Sequence, residues 1–129
     1  MKFRTATMVA ALVAGLATPG TAGTELSRDE VLALIVGHTE QGRVMKASRD
    51  DIGRDRTQYA IRYAADGTLV YSTGGGKSGT GTWSMEGNAL CRGFDGNGAS
   101  CRKIEKSGDR HEGVGFRTGN LRYRFTISD

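Results

Sequence analysis

The sequence predicts a mainly β protein: an antiparallel meander of about eight short strands that forms a small barrel or half-barrel, with one N-terminal helix. Three observations predict this class. The 129 residues include 20 glycines but a single proline, without a collagen-like period, which is typical of many tight turns. Beyond Gly37 apolar residues recur with a period of two, and turn signals such as Asp66-Gly67 separate the short alternating runs.

Residues 1–23 have the pattern of a secretory signal peptide. Lys2 and Arg4 precede an apolar run at residues 8–17, and Pro19 and several small residues follow it. This run is shorter than the roughly 20 apolar residues that a membrane span needs. We therefore expect a signal peptide at 1–23, a single β-barrel-like domain at 24–129 with no membrane span, and a location in the periplasm or outside the cell.

The predicted mature chain carries little net charge. Removing residues 1–23 takes away two basic residues, which leaves 16 Lys and Arg (18 minus 2) against 14 Asp and Glu, or +2. A small, mixed charge does not indicate binding to nucleic acid, because such proteins concentrate basic residues on one face.

The helix is predicted at residues 27–36. Ser27 is a typical N-cap, and Glu30 three positions later completes a capping box. Gly37 stands where a C-terminal cap belongs. The apolar side chains between these caps form one stripe, which comprises Val31, Leu32, Leu34 and Ile35. A helix this short is marginal alone, so we expect it to pack on the strands.

Eight segments are predicted as strands. They are residues 43–47, 58–63, 68–72, 80–85, 89–94, 101–106, 113–117 and 121–128. The last is the clearest, because apolar and polar residues alternate along all of it. The aromatic side chains of these segments are predicted to form the core: Tyr59, Tyr63, Tyr71, Trp83, Phe116, Tyr123 and Phe125.

Charged residues fill the segment 49–56, which is predicted to be a mobile loop. Its acidic residues Asp50, Asp51 and Asp55 are candidates for holding a cation. The arginines interspersed among them are expected to neutralise them first.

Cys91 and Cys101 are the two cysteines. An even pair in an exported chain predicts a disulfide, which would contribute about 2.5–3 kcal/mol by closing a loop of about 11 residues. A zinc site is the alternative, but it needs four ligands at a closer cysteine spacing, and His38 and His111 are the only histidines. The sequence therefore predicts a disulfide and no metal.

Several short motifs together resemble a known family. Gly81-Thr82-Trp83 is followed by Glu86-Gly87-Asn88-Ala89-Leu90-Cys91 and then by Cys101. This run, with Gly37-His38-Thr39 and Tyr63 before it, resembles a group of small exported proteobacterial proteins of unknown function. The resemblance covers about residues 25–108 and implies a lipocalin-like, disulfide-bonded, strand-rich fold. Arg102 departs from it, because such proteins often have an aromatic residue there. The family supplies no catalytic residues.

Two segments resemble ligand-binding loops but lack residues that those loops require. Residues 74–78 look like a phosphate-binding loop, but Tyr71 stands where the motif needs a glycine. Residues 95–106 begin like a calcium loop, but Ser100 replaces its required glycine and Lys106 its bidentate glutamate. The sequence therefore predicts no cofactor.

Catalytic signals are weak. His38 and His111 are candidate general bases, and Glu86 and Glu112 are a candidate acid–base pair, but no serine lies in a nucleophile-elbow motif. The sequence leaves open whether the protein is an enzyme and favours a non-enzyme.

The favoured function is a non-catalytic binding module for a small apolar ligand or for a partner in the cell envelope. The candidate ligand-binding residues are Tyr63, Tyr71, Trp83 and Tyr123. A basic patch is a further candidate, for an anionic envelope polymer or an acidic protein; it comprises Arg102, Lys106, Arg117, Arg122 and Arg124. The alternatives are an inhibitor of an exported enzyme such as a lysozyme, and a small histidine-dependent hydrolase.

Overall fold

The computed structural model describes residues 23–47, 52–116 and 118–129. In this part of the chain one helix, α1 (Arg28–Ile35), follows a short strand, β1 (Thr24–Glu25). The other strands are β2 (Thr39–Val44), β3 (Gln58–Tyr63), β4 (Thr68–Thr73), β5 (Ser78–Glu86), β6 (Ala89–Phe94), β7 (Ser100–Ser107), β8 (Arg110–Gly115) and β9 (Leu121–Ser128).

Strands β2 to β9 form a closed antiparallel barrel. Each strand pairs with the next along the chain, and β9 pairs with β2 to complete the ring, with Gly42 opposite Phe125. Strand β1 lies outside this ring and pairs with the second half of β7. The predicted eight-stranded meander is confirmed, and it is a barrel rather than a half-barrel. Closure pairs the edges that an open sheet would leave free.

Helix α1 covers one end of the barrel, which we call the helix end. The predicted capping box is present: the Ser27 backbone N–H donates to Glu30 Oε1 at 2.8 Å, and the Glu30 N–H donates to Ser27 Oγ at 3.3 Å. Val31 and Ile35 are fully buried in the core. The Arg28 N–H donates to Asn88 Oδ1 in the β5–β6 turn at 2.9 Å, which ties the helix to the strand turns at this end.

The opposite end of the barrel, which we call the loop end, carries the connections β2–β3, β4–β5, β6–β7 and β8–β9. Side chains alternate between the barrel interior and its outer face, so that Leu69 and Tyr71 are buried while Val70 between them is 53% exposed. The predicted disulfide joins the neighbouring strands β6 and β7, where Cys91 and Cys101 are directly opposite each other. A disulfide is typical of an oxidising compartment.

Strand β2 begins earlier than predicted. The expected strand at 43–47 lies at Thr39–Val44, and Glu40 and Val44 point inward along it. Most residues of this strand are polar, so its sequence does not show which positions are buried. Phe125 of β9 packs over Gly42. Any larger residue at position 42 would place its Cβ against the Arg124 carbonyl oxygen.

The core prediction was wrong for Phe116, which is 52% exposed. Strand β8 was expected at 113–117 but runs from Arg110 to Gly115, since a tight turn after β7 starts it early. Phe116 therefore falls in the β8–β9 connection. Of the other predicted core aromatics, Trp83 is half-buried and the remaining five are buried.

Some expectations lie outside the described residues. They are the signal peptide, apart from Gly23, the loop residues Asp50 and Asp51, and Arg117 of the basic patch.

Candidate functional site

A buried carboxylate is the centre of a polar cluster inside the barrel. Glu40, 1% exposed, accepts hydrogen bonds from Tyr59 Oη at 2.5 Å and from Tyr63 Oη at 2.7 Å. Arg92 Nη1 lies 3.2 Å from its Oε2 and 3.3 Å from its Oε1, and also donates to Tyr63 Oη at 2.8 Å. We call these four residues the Glu40 network. They occupy inward positions of β2, β3 and β6.

Burial fixes the protonation of the two tyrosines in this network. It raises the pKa of Tyr59 and Tyr63 well above the ordinary value, and the negative charge of Glu40 adds to that effect. Both hydroxyls therefore stay protonated at neutral pH and donate to the carboxylate. Glu40 and Arg92 form an ion pair that is almost fully removed from water. Buried charges are stable in this form, paired and hydrogen-bonded.

A second buried arginine lies next to this network. Arg102 is 4% exposed, and its Nη2 donates to Tyr123 Oη at 2.9 Å. The guanidinium carbons of Arg92 and Arg102 each lie 4.5 Å from the centre of the Tyr123 ring. Arg102 was expected on a solvated basic face and is instead buried. It departs from that expectation because β7 turns this position inward, in line with Ile104.

A pocket of about 380 Å³ lies at the loop end beside Arg102. We call it the Arg102–Arg122 pocket. Its lining comes from β7, β8, β9 and the β8–β9 connection, and consists of Ser100, Cys101, Arg102, Gly115, Phe116, Thr118 and Arg122. The described part of this lining contains two guanidinium groups. The bare backbone of Gly115 leaves the space open, because a Cβ there would lie 2.6 Å from Thr118 Oγ1.

Arg122 reaches this pocket because of a register shift between β8 and β9. Gly113 pairs with Tyr123, whereas Val114 pairs with Leu121, so Arg122 is an extra residue in β9. Such bulges redirect side chains. Arg122 Nε lies 3.6 Å from the position that a Cβ on Gly115 would occupy. It is buried and has no hydrogen-bond partner among the described residues.

The bulge separates Arg122 from Arg124, with which it was expected to share a face. Arg124 stays on the outer face of the barrel, opposite Arg43, and its Nε donates to Glu112 Oε2 at 3.0 Å. Lys106 pairs with His111 near the helix end. The described members of the predicted basic patch are therefore distributed over different parts of the barrel.

The four predicted ligand-binding aromatics are placed within the barrel wall and interior. Tyr63 belongs to the Glu40 network and Tyr123 contacts both buried arginines. The Tyr71 hydroxyl donates to the Asp95 carboxylate, and burial together with that contact raises the pKa of Tyr71 to about 12. Trp83 Nε1 donates to the Ala64 carbonyl oxygen at 2.9 Å. The lining of the Arg102–Arg122 pocket includes none of the four.

The candidate catalytic residues are dispersed. His38 Nδ1 lies 3.2 Å from an oxygen of the exposed Asp129. His111 stacks on Phe125 with ring centres 5.6 Å apart, and burial, with repulsion from Lys106, lowers its pKa.

The two glutamates predicted as an acid–base pair are also far apart in the fold. Glu112 lies on β8 and bonds to Arg124, whereas Glu86 ends β5, three strands away around the barrel.

The predicted cation ligands have other partners. Asp95 of the calcium-like segment accepts from Tyr71 and lies 3.7 Å from Lys77 Nζ, and Asp55 accepts the Ala47 N–H at 2.8 Å. Within residues 23–47, 52–116 and 118–129, histidine, cysteine and acidic side chains form no group of three that could hold a metal ion. In the same ranges no helix has the length and apolar character to cross a membrane.

Glu40 and Arg92 were not predicted as site residues, and Phe116 was not predicted to be exposed. One signal pointed to Arg92: it occupies the middle position of the run Leu90, Arg92, Phe94, whose other two members are apolar and point inward. Comparisons of the chain with protein-family profiles, curated proteins and solved structures find no match.

Proposed function

We propose that the protein is an exported, non-catalytic binding module of the periplasm that engages its ligand or envelope partner at the loop end of the barrel. One observation carries the proposal: Arg102 and Arg122 line an open pocket there, next to the exposed ring of Phe116. Exposed loops on a rigid barrel are common positions for binding residues.

The chemistry of the barrel interior supports this choice over a small apolar ligand held inside the barrel. Inward positions of β2 and β6 carry Glu40 and Arg92, whose hydrogen bonds are made to each other and to tyrosines. An apolar ligand placed against these groups would remove hydrogen bonds without replacing them, which is unfavourable.

The outer face of the barrel is a weaker candidate. A depression of about 490 Å³ crosses β2, β3 and β4 and is lined by Gln41, Gly42, Gln58, Tyr59, Ala60, Ser72, Thr73 and Gly74. Among the described residues of this lining none is charged, and the aromatic residue there, Tyr59, is 4% exposed. Charge and exposed aromatic area are what select a partner at an interface, and the loop end offers both.

Amide chemical shifts of the isotopically labelled, oxidised protein test the proposal. The protein is mixed with a low-mass fraction and with a protein fraction of periplasmic extract. We expect shifts at residues 100–102 and 115–122, and none at residues 39–43 or 124–126 of the outer face. Shifts confined to the outer face, or no shift with either fraction, would refute binding at the loop end.

Inhibition of an exported enzyme such as a lysozyme is one form of this proposal, in which the partner is a protein whose active site receives the loop end. The hydrolase alternative stays a prediction, and the positions of His38 and His111 do not favour it.

A further inference from the structure

We propose that Asn97 is a site of spontaneous covalent modification, at which the side-chain amide is lost and the residue becomes aspartate or isoaspartate. Asn97 lies in the β6–β7 connection at the loop end, between Phe94, the last residue of β6, and Ser100, the first residue of β7. Asparagine is among the chemically labile residues of proteins. The inference does not depend on the proposed function, because it concerns a reaction of the chain with water.

The reaction joins the backbone nitrogen of Gly98 to the side chain of Asn97. The nitrogen loses its proton to solvent base and attacks Cγ of Asn97, which forms a cyclic succinimide, while the side-chain nitrogen takes up a proton from water and leaves as ammonia. Water then opens the ring. Cleavage of the new bond between nitrogen and Cγ gives aspartate, whereas cleavage between nitrogen and the main-chain carbonyl carbon gives isoaspartate. The two steps together consume one water molecule and release one ammonia.

The glycine that follows Asn97 makes this attack accessible. Gly98 has no side chain to shield its nitrogen, and a glycine backbone reaches conformations that other residues avoid. Gly98 is exposed, and a Cβ added there would meet no atom within 4 Å, so the segment has room to turn. Its N–H donates to no described residue, so no backbone hydrogen bond has to break before the nitrogen reacts.

The side chain of Asn97 meets the second requirement. It is exposed, and its amide makes no hydrogen bond to a described residue. The Asn97 backbone N–H donates to the Phe94 carbonyl oxygen at 2.9 Å, a contact that involves neither the side chain nor the peptide bond to Gly98. Both reacting groups therefore lie at the surface without a partner in the described residues.

The other two of the three asparagines lack this combination. Asn88 precedes Ala89, which is fully buried at the start of β6, and its Oδ1 accepts a backbone N–H of the helix at 2.9 Å. Asn120 precedes Leu121, the first residue of β9, whose branched side chain hinders the attacking nitrogen. Asn97 is therefore expected to react before either.

The product changes the loop end and leaves the barrel in place. Aspartate and isoaspartate both add a negative charge to the connection that leads into Ser100 and Cys101 of the Arg102–Arg122 pocket, and isoaspartate also lengthens the main chain by one carbon. The Cys91–Cys101 disulfide holds the strands on either side of the connection. Strands β6 and β7 should therefore keep their register in the modified protein.

Incubation of the oxidised, folded protein in neutral and in mildly alkaline buffer tests the inference. Mass spectrometry of the intact chain follows the mass gained when an amide becomes an acid, and peptide mapping with electron-transfer fragmentation locates it and separates aspartate from isoaspartate. We expect the gain to begin at Asn97. Its rate should rise with pH, because the backbone nitrogen must lose its proton.

Three variants assign the reaction. N97Q should suppress the early gain, because the larger ring that glutamine requires forms more slowly. N120Q is the matched control: it lengthens another exposed asparagine in a strand connection and should leave the rate unchanged. G98A should slow the gain several-fold, because alanine restricts the backbone. The open space around Gly98 allows this variant to fold, and the amide spectrum of each variant shows whether it does.

Three results would overturn the inference: a gain spread equally over the three asparagines, equal rates in N97Q and N120Q, or no gain in the folded protein. In the last case, reaction at Asn97 in the reduced, urea-unfolded chain would show that the native connection protects the amide. Failure of the loop-end binding experiment with periplasmic extract would refute the proposed function and leave this inference standing, since no partner takes part in the reaction.

Discussion

Replacing Glu40 by glutamine should destabilise the protein strongly, because it breaks a buried ion pair. The substitution keeps the shape of the side chain but removes the negative charge that Arg92, 4% exposed, is paired with. Removing one partner of a buried ion pair costs about 3–5 kcal/mol, because the other charge stays buried without compensation. A domain of this size has a total stability of about 5–15 kcal/mol, so E40Q should remain folded only marginally.

Urea unfolding of the oxidised protein measures this loss. Trp83 is the single tryptophan, and its ring lies edge-on to Tyr63 of the Glu40 network with centres 6.0 Å apart, so its fluorescence reports on the site. E112Q is the matched control: it also removes a carboxylate bonded to an arginine, but Arg124 is 40% exposed. A partly exposed pair contributes about 0–1 kcal/mol.

The double variant E40Q/R92M tests whether the cost comes from the unpaired charge. Because it removes both charges, it should be more stable than the sum of the two single losses predicts, by at least about 1.5 kcal/mol. A loss in E40Q no larger than that in E112Q would refute the reasoning, and so would strict additivity of E40Q and R92M.

Three further predictions concern the disulfide, a histidine and the tyrosines. C91S/C101S should lower the free energy of unfolding by about 2.5–3 kcal/mol in urea titrations, and an unchanged midpoint would contradict this. Below the ordinary pKa of 6.5 the unfolded chain binds a proton that the half-buried His111 resists, so stability should fall from about pH 7 to pH 5, and H111N should flatten that slope. In an ultraviolet absorbance titration of the folded protein, Tyr59, Tyr63 and Tyr71 should stay protonated near pH 11, and ionisation of these three at ordinary tyrosine pH would refute the assigned burial.

The parts of the fold that were predictable from sequence are those where local pattern and tertiary structure agree. The strands Ala89–Phe94 and Leu121–Ser128 were expected with the same bounds, because alternation marks one face as buried. The helix was expected one residue longer at each end, since capping chemistry is local. The disulfide followed from cysteine count and a turn-rich spacing.

The candidate site was less predictable because its residues break the local pattern. Glu40 and Arg92 are charged side chains at inward positions, and charged residues are rarely buried, so the alternation around Arg92 was a weak signal against that expectation. Their hydrogen bonds join residues 19, 23 and 52 positions apart, so only the closed barrel brings them together. Phe116 was misassigned because it continues an apparent alternation beyond the point where β8 ends.

The orientation of the Arg122 side chain follows from a β-bulge, which a regularly alternating strand does not contain. A regular β9 would place Arg122 and Arg124 on the same face, as the sequence suggested, but the shift in pairing next to Gly113 inserts one residue. That insertion turns one arginine toward the loop end and leaves the other on the outer face with Glu112. A bulge costs ladder hydrogen bonds and therefore persists where the rest of the barrel enforces it.

The surroundings of the barrel ends explain why binding is assigned to the loop end. At the helix end, α1 buries Val31 and Ile35 and is hydrogen-bonded to Asn88 of the β5–β6 turn. These side chains are therefore used for packing within the protein. Inside, the Glu40 network balances one negative against one positive charge with tyrosine hydroxyls between them. Towards the loop end Arg102 and Arg122 line an open pocket beside the exposed ring of Phe116, so this end of the barrel presents polar and aromatic groups to a partner.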